Sequence, residues 1–269
     1  MPGTIEKPSG QKPKEKTQES RAMISMIAAL REPMEKLLEQ LRPYLEKGEY
    51  QLIVGDDTSG RIPTLIFRRV IQAIYEEKGY PSPKTIFLVG RRPAINYKKQ
   101  DMTIEYVKHI LPELKKSQKS TNTPLKALIV TEAVASGNSV EFLSELLRGA
   151  GIMSDVAALG RDDPARSVQY FENKLGGGRF FYGEDGTPSI FHKSYLSGVT
   201  KESRDQIFSD TLESYEYDRE VSLTLTDHSE RETTAQDAVG MTREDIKTLG
   251  NELFAHYQEA RAQETKITS

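Results

Sequence analysis

The 269-residue chain has no cysteine. That excludes a disulfide framework and any thiolate metal site. It also lacks an apolar run near the roughly 20 residues that a membrane-spanning helix needs. Its four histidines, His109, His192, His228 and His256, show no ligand-like spacing. Each reads as a surface or capping residue. Neither sign of charge dominates: 37 Lys and Arg stand against 40 Asp and Glu, a net charge of -3. The broad basic footprint of a nucleic-acid binder is therefore missing. Residues 1–19 are rich in Lys, Pro and Gly and lack the apolar segment of a secretory signal. No repeat of 20–50 residues is visible. A cytoplasmic protein without a membrane segment is the expectation, built as one large domain or as a domain with appendages.

What is present changes along the chain. Residues 1–20 are charged and Pro-rich, with almost nothing to bury, and are expected to be a disordered tail. Met23, Ile27, Leu30, Met34, Leu37, Leu41 and Leu45 then recur at three- and four-residue steps. That spacing predicts one apolar helical face within 21–48, interrupted near Pro33 and Pro43 and packed on a core or on a partner subunit. From Tyr50 the pattern alternates. Strands are expected near 51–54, 85–89, 126–130, 155–159 and 179–182, with helices near 63–77, 103–115, 139–148 and 164–175. This predicts an α/β fold, a mostly parallel central sheet with helices on both faces, spanning 49–226 with a possible short strand at 222–226. Residues 227–241 read as a polar linker and 242–263 as a C-terminal helix. Thr242 and Asp245 are placed to cap that helix before Ile246, Leu249, Leu253 and Tyr257.

In such sheets ligands bind at the carboxyl ends of the strands. Three loops fall there. In VGDDTSGRIPT, Gly55 and Gly60 bracket Asp56, Asp57, Thr58 and Ser59, and Arg61 follows as a phosphate-binding cation. In FLVGRRPAINYKKQ, Arg91, Arg92, Lys98 and Lys99 put four cations in one loop. In ALIVTEAVASGNSV, a strand leads to Glu132 and then to a small turn, Ser136-Gly137-Asn138-Ser139, at a helix start. Unpaired amides there suit an anion, and a nearby acid suits ribose hydroxyls or Mg²⁺. That stretch has neither GxGxxG nor a P-loop signature. Each loop taken singly also fits a plain helix cap or a solvated basic surface.

In this order the three loops resemble the type I phosphoribosyltransferase family, over roughly 50–182. VTEAVASGNS is similar to the family's phosphoribosyl-diphosphate (PRPP) loop, and GDDTSGRIP to its pyrophosphate loop. Arg91-Arg92 falls where the family commonly has Arg-Lys before a flexible catalytic loop. The resemblance implies a 5-phosphate site at Ala135, Ser136, Gly137, Asn138 and Ser139. It implies a ribose site at Thr131 and Glu132, with Thr131 standing where the family has its first acid. It implies pyrophosphate contacts from Asp57, Thr58, Ser59, Gly60, Arg61, Arg91 and Arg92, and a lid at 93–102 that includes Tyr97, Lys98 and Lys99. Mg²⁺ is the implied cofactor, with Glu132 near it, directly or indirectly. The implied reaction is Mg²⁺-dependent transfer of ribose-5-phosphate from PRPP to a nucleobase or related nitrogen compound. The alternative is a catalytically silent PRTase-like sensor or assembly component that binds PRPP or a nucleotide. A hood at 183–201, with Phe191 or Tyr195 for stacking, would choose the base, which stays open. Family members are often dimers, and the apolar face from Met23 to Leu45 is a candidate dimer surface.

Overall fold

The computed structural model describes residues 25–56, 60–88, 97–116, 124–186 and 228–268. Its elements run α1 (Ser25–Ala28), α2 (Arg31–Leu45), β1 (Leu52–Asp56), α3 (Arg61–Glu77), β2 (Lys84–Leu88), α4 (Tyr97–Lys116), β3 (Leu125–Val134), α5 (Asn138–Gly149), β4 (Ile152–Arg161), α6 (Val168–Lys174), β5 (Phe180–Asp185) and α7 (His228–Thr268). The five strands form one sheet in the order β2-β1-β3-β4-β5, and every pair is parallel. This is the expected α/β fold with helices on both faces.

Strand alternation sends successive side chains to opposite faces. Along β3, Ala127 and Ile129 join the core beneath α4, α5 and α6, while Leu128 and Val130 join the core beneath α2, α3 and α7. Both faces are covered, so both parities must be apolar, and the strands read as continuous hydrophobic runs.

The sheet order has a consequence for the ends of the chain. The path runs outward from β1 to β2, then turns back past β1 to β3, β4 and β5. Right-handed crossovers place α3 on one face and α4, α5 and α6 on the other. One face thus receives a single crossover helix for five strands. The terminal helices complete it: α2 lies against β4 and β5, and α7 lies against α1, α2 and α3. Ile27, Leu30, Met34, Leu37, Leu41 and Leu45 are at most 1% exposed. Each such side chain contributes about 1.5–3 kcal/mol on burial. The face from Met23 to Leu45 was a candidate dimer surface. From Ile27 onward it is instead buried within its own chain.

Several boundaries differ from expectation for identifiable reasons. The interruption expected near Pro33 is present, since α1 ends at Ala28 and α2 starts at Arg31 with Pro33 in its first turn, whereas Pro43 lies in the last turn of α2 without ending it. Helix α4 begins at Tyr97 rather than near 103. Lys and Gln are good helix formers, and a polar first turn shows no apolar period. Tyr97, Lys98 and Lys99, expected in a lid, are therefore helical. Helix α6 begins at Val168, not near 164, because the Ser167 side chain accepts the Tyr170 N–H at 3.2 Å. Residues 228–241, expected as a linker, continue into the same helix as Leu249 and Leu253. Thr242 and Asp245 are buried inside that helix instead of capping it. The possible strand at 222–226 and the hood beyond Gly186, with Phe191 and Tyr195, lie outside the described residues. Among the described residues no helix is long and apolar enough to cross a membrane.

Candidate functional site

The reversal of chain direction around β1 makes the carboxyl ends of β1 and β3 the topological switch point, where open parallel sheets bind ligands. Two of the three loops singled out in the sequence start there. The edge is stepped. Pairing of β3 with β1 stops at Val130, opposite Gly55, while pairing with β4 continues to Val134. The strand expected to end at Val130 thus carries Thr131 and Glu132 within it, because β4 itself extends to Arg161.

On the β1 side the chain returns so tightly that Gly60 rests on neighbouring backbone. A Cβ at Gly60 would lie 2.3 Å from the Val130 carbonyl oxygen and 2.8 Å from the Asp56 nitrogen. Backbone cannot swing aside as a side chain can. Gly60→Ala is expected to lower stability by about 1–3 kcal/mol, a typical overpacking penalty. Thermal denaturation checks this, and an unchanged melting temperature would refute the close approach. Arg61 opens α3 with its guanidinium 4.6 Å from the Phe87 ring centroid, a cation–π contact that ties it to β2. Asp57, Thr58, Ser59, Arg91 and Arg92 lie outside the described residues.

On the β3 side, alternation puts Thr131 and Glu132 on opposite faces. Thr131 is 1% exposed and Glu132 4%. The Oε1 atom of Glu132 has no hydrogen-bond partner among the described residues. Burial, with the negative charge of Asp162 adding to it, pushes the Glu132 carboxyl up to about 8. A second orphan, the hydroxyl of Thr64 in the first turn of α3, sits against Gly55, the register partner of Val130. Buried polar atoms are nearly always paired, and among the described residues these two exceptions lie beside one sheet edge.

Beyond Val134 the turn Ala135-Ser136-Gly137 leads into α5. Gly137 is the N-cap, with φ 77°, and as a glycine it offers no capping side chain of its own. That left-handed conformation favours glycine, and Phe171 and Lys174 press on it from α6. The Asn138 N–H donates to the Ser136 hydroxyl at 3.4 Å. Ala135 and Asn138 are exposed and Ser136 and Ser139 half-buried, so the turn is open to a ligand. An open, glycine-led helix start of this kind attracts anions.

The structure therefore brings Gly60, Arg61, Glu132 and the 135–139 turn to one edge. It also shows residues that pattern reading missed. Thr64 gave one signal, a hydroxyl within an apolar helical face. Asp162 and Lys174 gave none, since they come from just beyond β4 and from α6. Among the described residues no group of three or more acidic or histidine side chains is arranged to hold a metal.

No family model and no curated protein sequence matches this chain. Among solved structures, the orotate phosphoribosyltransferase from Aeropyrum pernix is similar over 59% of this chain and 69% of its own, with 15% sequence identity and a TM-score of 0.31.

Proposed function

We propose that this chain is a phosphoribosyltransferase: it binds PRPP and transfers ribose-5-phosphate to a nitrogen nucleophile, releasing pyrophosphate. One observation carries the reading. A buried carboxylate oxygen on Glu132, without a partner among the described residues, precedes by a few residues an open, glycine-led helix start at the same strand end. A ligand with adjacent hydroxyls and a phosphate would satisfy both.

In this reading the amides and hydroxyls of 135–139 hold the 5-phosphate. Glu132 accepts from the ribose hydroxyls and fixes the ring, which lowers the entropic part of the barrier. Arg61, with Asp57, Thr58, Ser59, Arg91 and Arg92, receives the pyrophosphate. Glu132 and the ligand's own phosphate oxygens would hold Mg²⁺, a coordination style that needs few protein carboxylates. When bound, Mg²⁺ neutralises charge on the leaving pyrophosphate. The reacting carbon gains positive character as the bond to pyrophosphate breaks, so charge must leave with the leaving group.

The test is calorimetry with PRPP and Mg²⁺, followed by pyrophosphate release across a panel of nucleobases and other nitrogen compounds. Binding and release with at least one acceptor are expected, both lost in Glu132→Ala. A specific observation favours a second reading, a silent binder of PRPP or a nucleotide. Thr131 is uncharged and buried, which leaves Glu132 alone at the ribose position. Tight binding without release for any acceptor would select that reading. No binding to either ligand would remove both.

A further inference from the structure

Helix α6 stands directly beside the start of α5. A Cβ on Gly137 would lie 3.1 Å from the Phe171 ring and 3.3 Å from the Lys174 side chain. The Tyr170 hydroxyl donates to the Ser136 carbonyl at 3.4 Å and accepts from Arg166 at 3.2 Å. Lys174 reaches across to α5 and donates to Asn138 Oδ1 at 3.0 Å and to Glu141 Oε2 at 2.7 Å. The Lys174 and Glu141 side chains are 19% and 29% exposed, so water screens this pair only partly.

Glu141 lies in the first turn of α5. For the helix alone an acid there is favourable, because it faces the positive end of the dipole. For a phosphate at the same terminus it is repulsive. We propose that Lys174 is a positioning residue of the 5-phosphate site: it cancels the Glu141 charge and holds Asn138, so the turn meets phosphate without an opposing carboxylate. The inference rests on the reading that the start of α5 takes the 5-phosphate. A second sign of a ligand at this strand end is Glu132, three residues before the turn, whose buried Oε1 has no partner among the described residues.

Lys174→Met keeps an unbranched chain against Gly137 and Phe171 and removes the charge. Calorimetry of the full chain with ribose 5-phosphate is expected to show about tenfold weaker binding for this variant, the scale of one uncompensated charge near a phosphate. The loss should grow as salt is lowered. Glu141→Gln should bind at least as well as the wild type. The double variant should return to within about twofold of it, since the two residues act as one unit. Wild-type affinity in Lys174→Met, even with a lower melting temperature, would reduce Lys174 to a staple between two helices and leave the phosphate site standing. A double variant as weak as Lys174→Met would make Lys174 a direct phosphate ligand and overturn the positioning role. A wild type that binds neither ribose 5-phosphate nor PRPP would remove the site and this role together.

Discussion

Glu132→Gln is expected to make the unliganded protein more stable by about 3 kcal/mol at pH 7 while weakening PRPP binding at least about tenfold. The two effects share one cause. Burial raises the Glu132 carboxyl from its ordinary 4.5 to about 8, and Asp162 adds to the rise. Between these values the folded protein holds a proton that the unfolded chain has released. Stability therefore falls as pH rises through that window and is fully present below it. Glutamine has nearly the same shape and no proton to lose, so its advantage should vanish near pH 4.5 and be largest above pH 8. The same substitution puts an amide, which cannot ionise, where bound ribose hydroxyls and Mg²⁺ would favour the charged carboxylate. Urea titrations of both proteins at pH 4.5, 7 and 8.5 measure the first effect, and calorimetry with PRPP measures the second. A stability difference that does not change with pH would mean that Glu132 already has a partner in the folded protein. A gain of stability with unchanged affinity would keep the strain but separate it from the ligand.

That behaviour also marks the limit of what pattern can reveal. The small hydroxyl turn at 136–139 was legible because it is local: four residues between an apolar run and an amphipathic one. Glu132 was legible as an acid beside that turn. Its burial was not, because it depends on β4 running on to Arg161 and on Gly60 closing against Val130, both distant in sequence. Lys174 and Asp162 follow the same rule. They enter the site from α6 and from just beyond β4, and only the strand order brings them there.

The fold divides in a similar way. Apolar strands alternating with helices predict a parallel sheet. Strand order was not predicted, and with it went the reason for the terminal helices. The apolar stripe from Met23 to Leu45 had two readings, core or partner. Only the single crossover helix on one face decides for the core. Helix α7 extends back through a polar segment whose sequence has no apolar period to mark it as helical.

At the opposite, amino-terminal end of the sheet, Asp155→Ala is expected to lower stability by about 3–5 kcal/mol, a large fraction of the total for a domain of this kind. Asp155 is fully buried within β4, a position where an apolar residue is the usual choice. It is tolerated because every direction is filled. Its Oδ2 accepts from the Tyr50 hydroxyl at 2.8 Å and from Arg179 Nε at 2.9 Å, and lies 2.7 Å from Arg179 Nη2 and 3.1 Å from the Lys126 ammonium. Its Oδ1 accepts from the Arg179 backbone N–H at 2.9 Å. Burial by itself would raise this carboxyl. The hydrogen bonds from Arg179 and Tyr50 and the charge of Lys126 outweigh burial and hold it below the ordinary carboxylate range. Its contribution is therefore present above that range and is lost as pH falls through the lowered value. Alanine would leave the buried Tyr50 hydroxyl without its acceptor and two partly buried cations without their shared charge. Glu49, which accepts from Arg179 at 2.8 Å and from Lys126 at 3.4 Å, can compensate only for the cations. Asp155→Asn keeps an acceptor for Tyr50 and should lose less than alanine. Urea denaturation at pH 7 gives the order wild type, Asn, Ala. An alanine variant within about 1 kcal/mol of wild type would show that water replaces the carboxylate and that the network adds little.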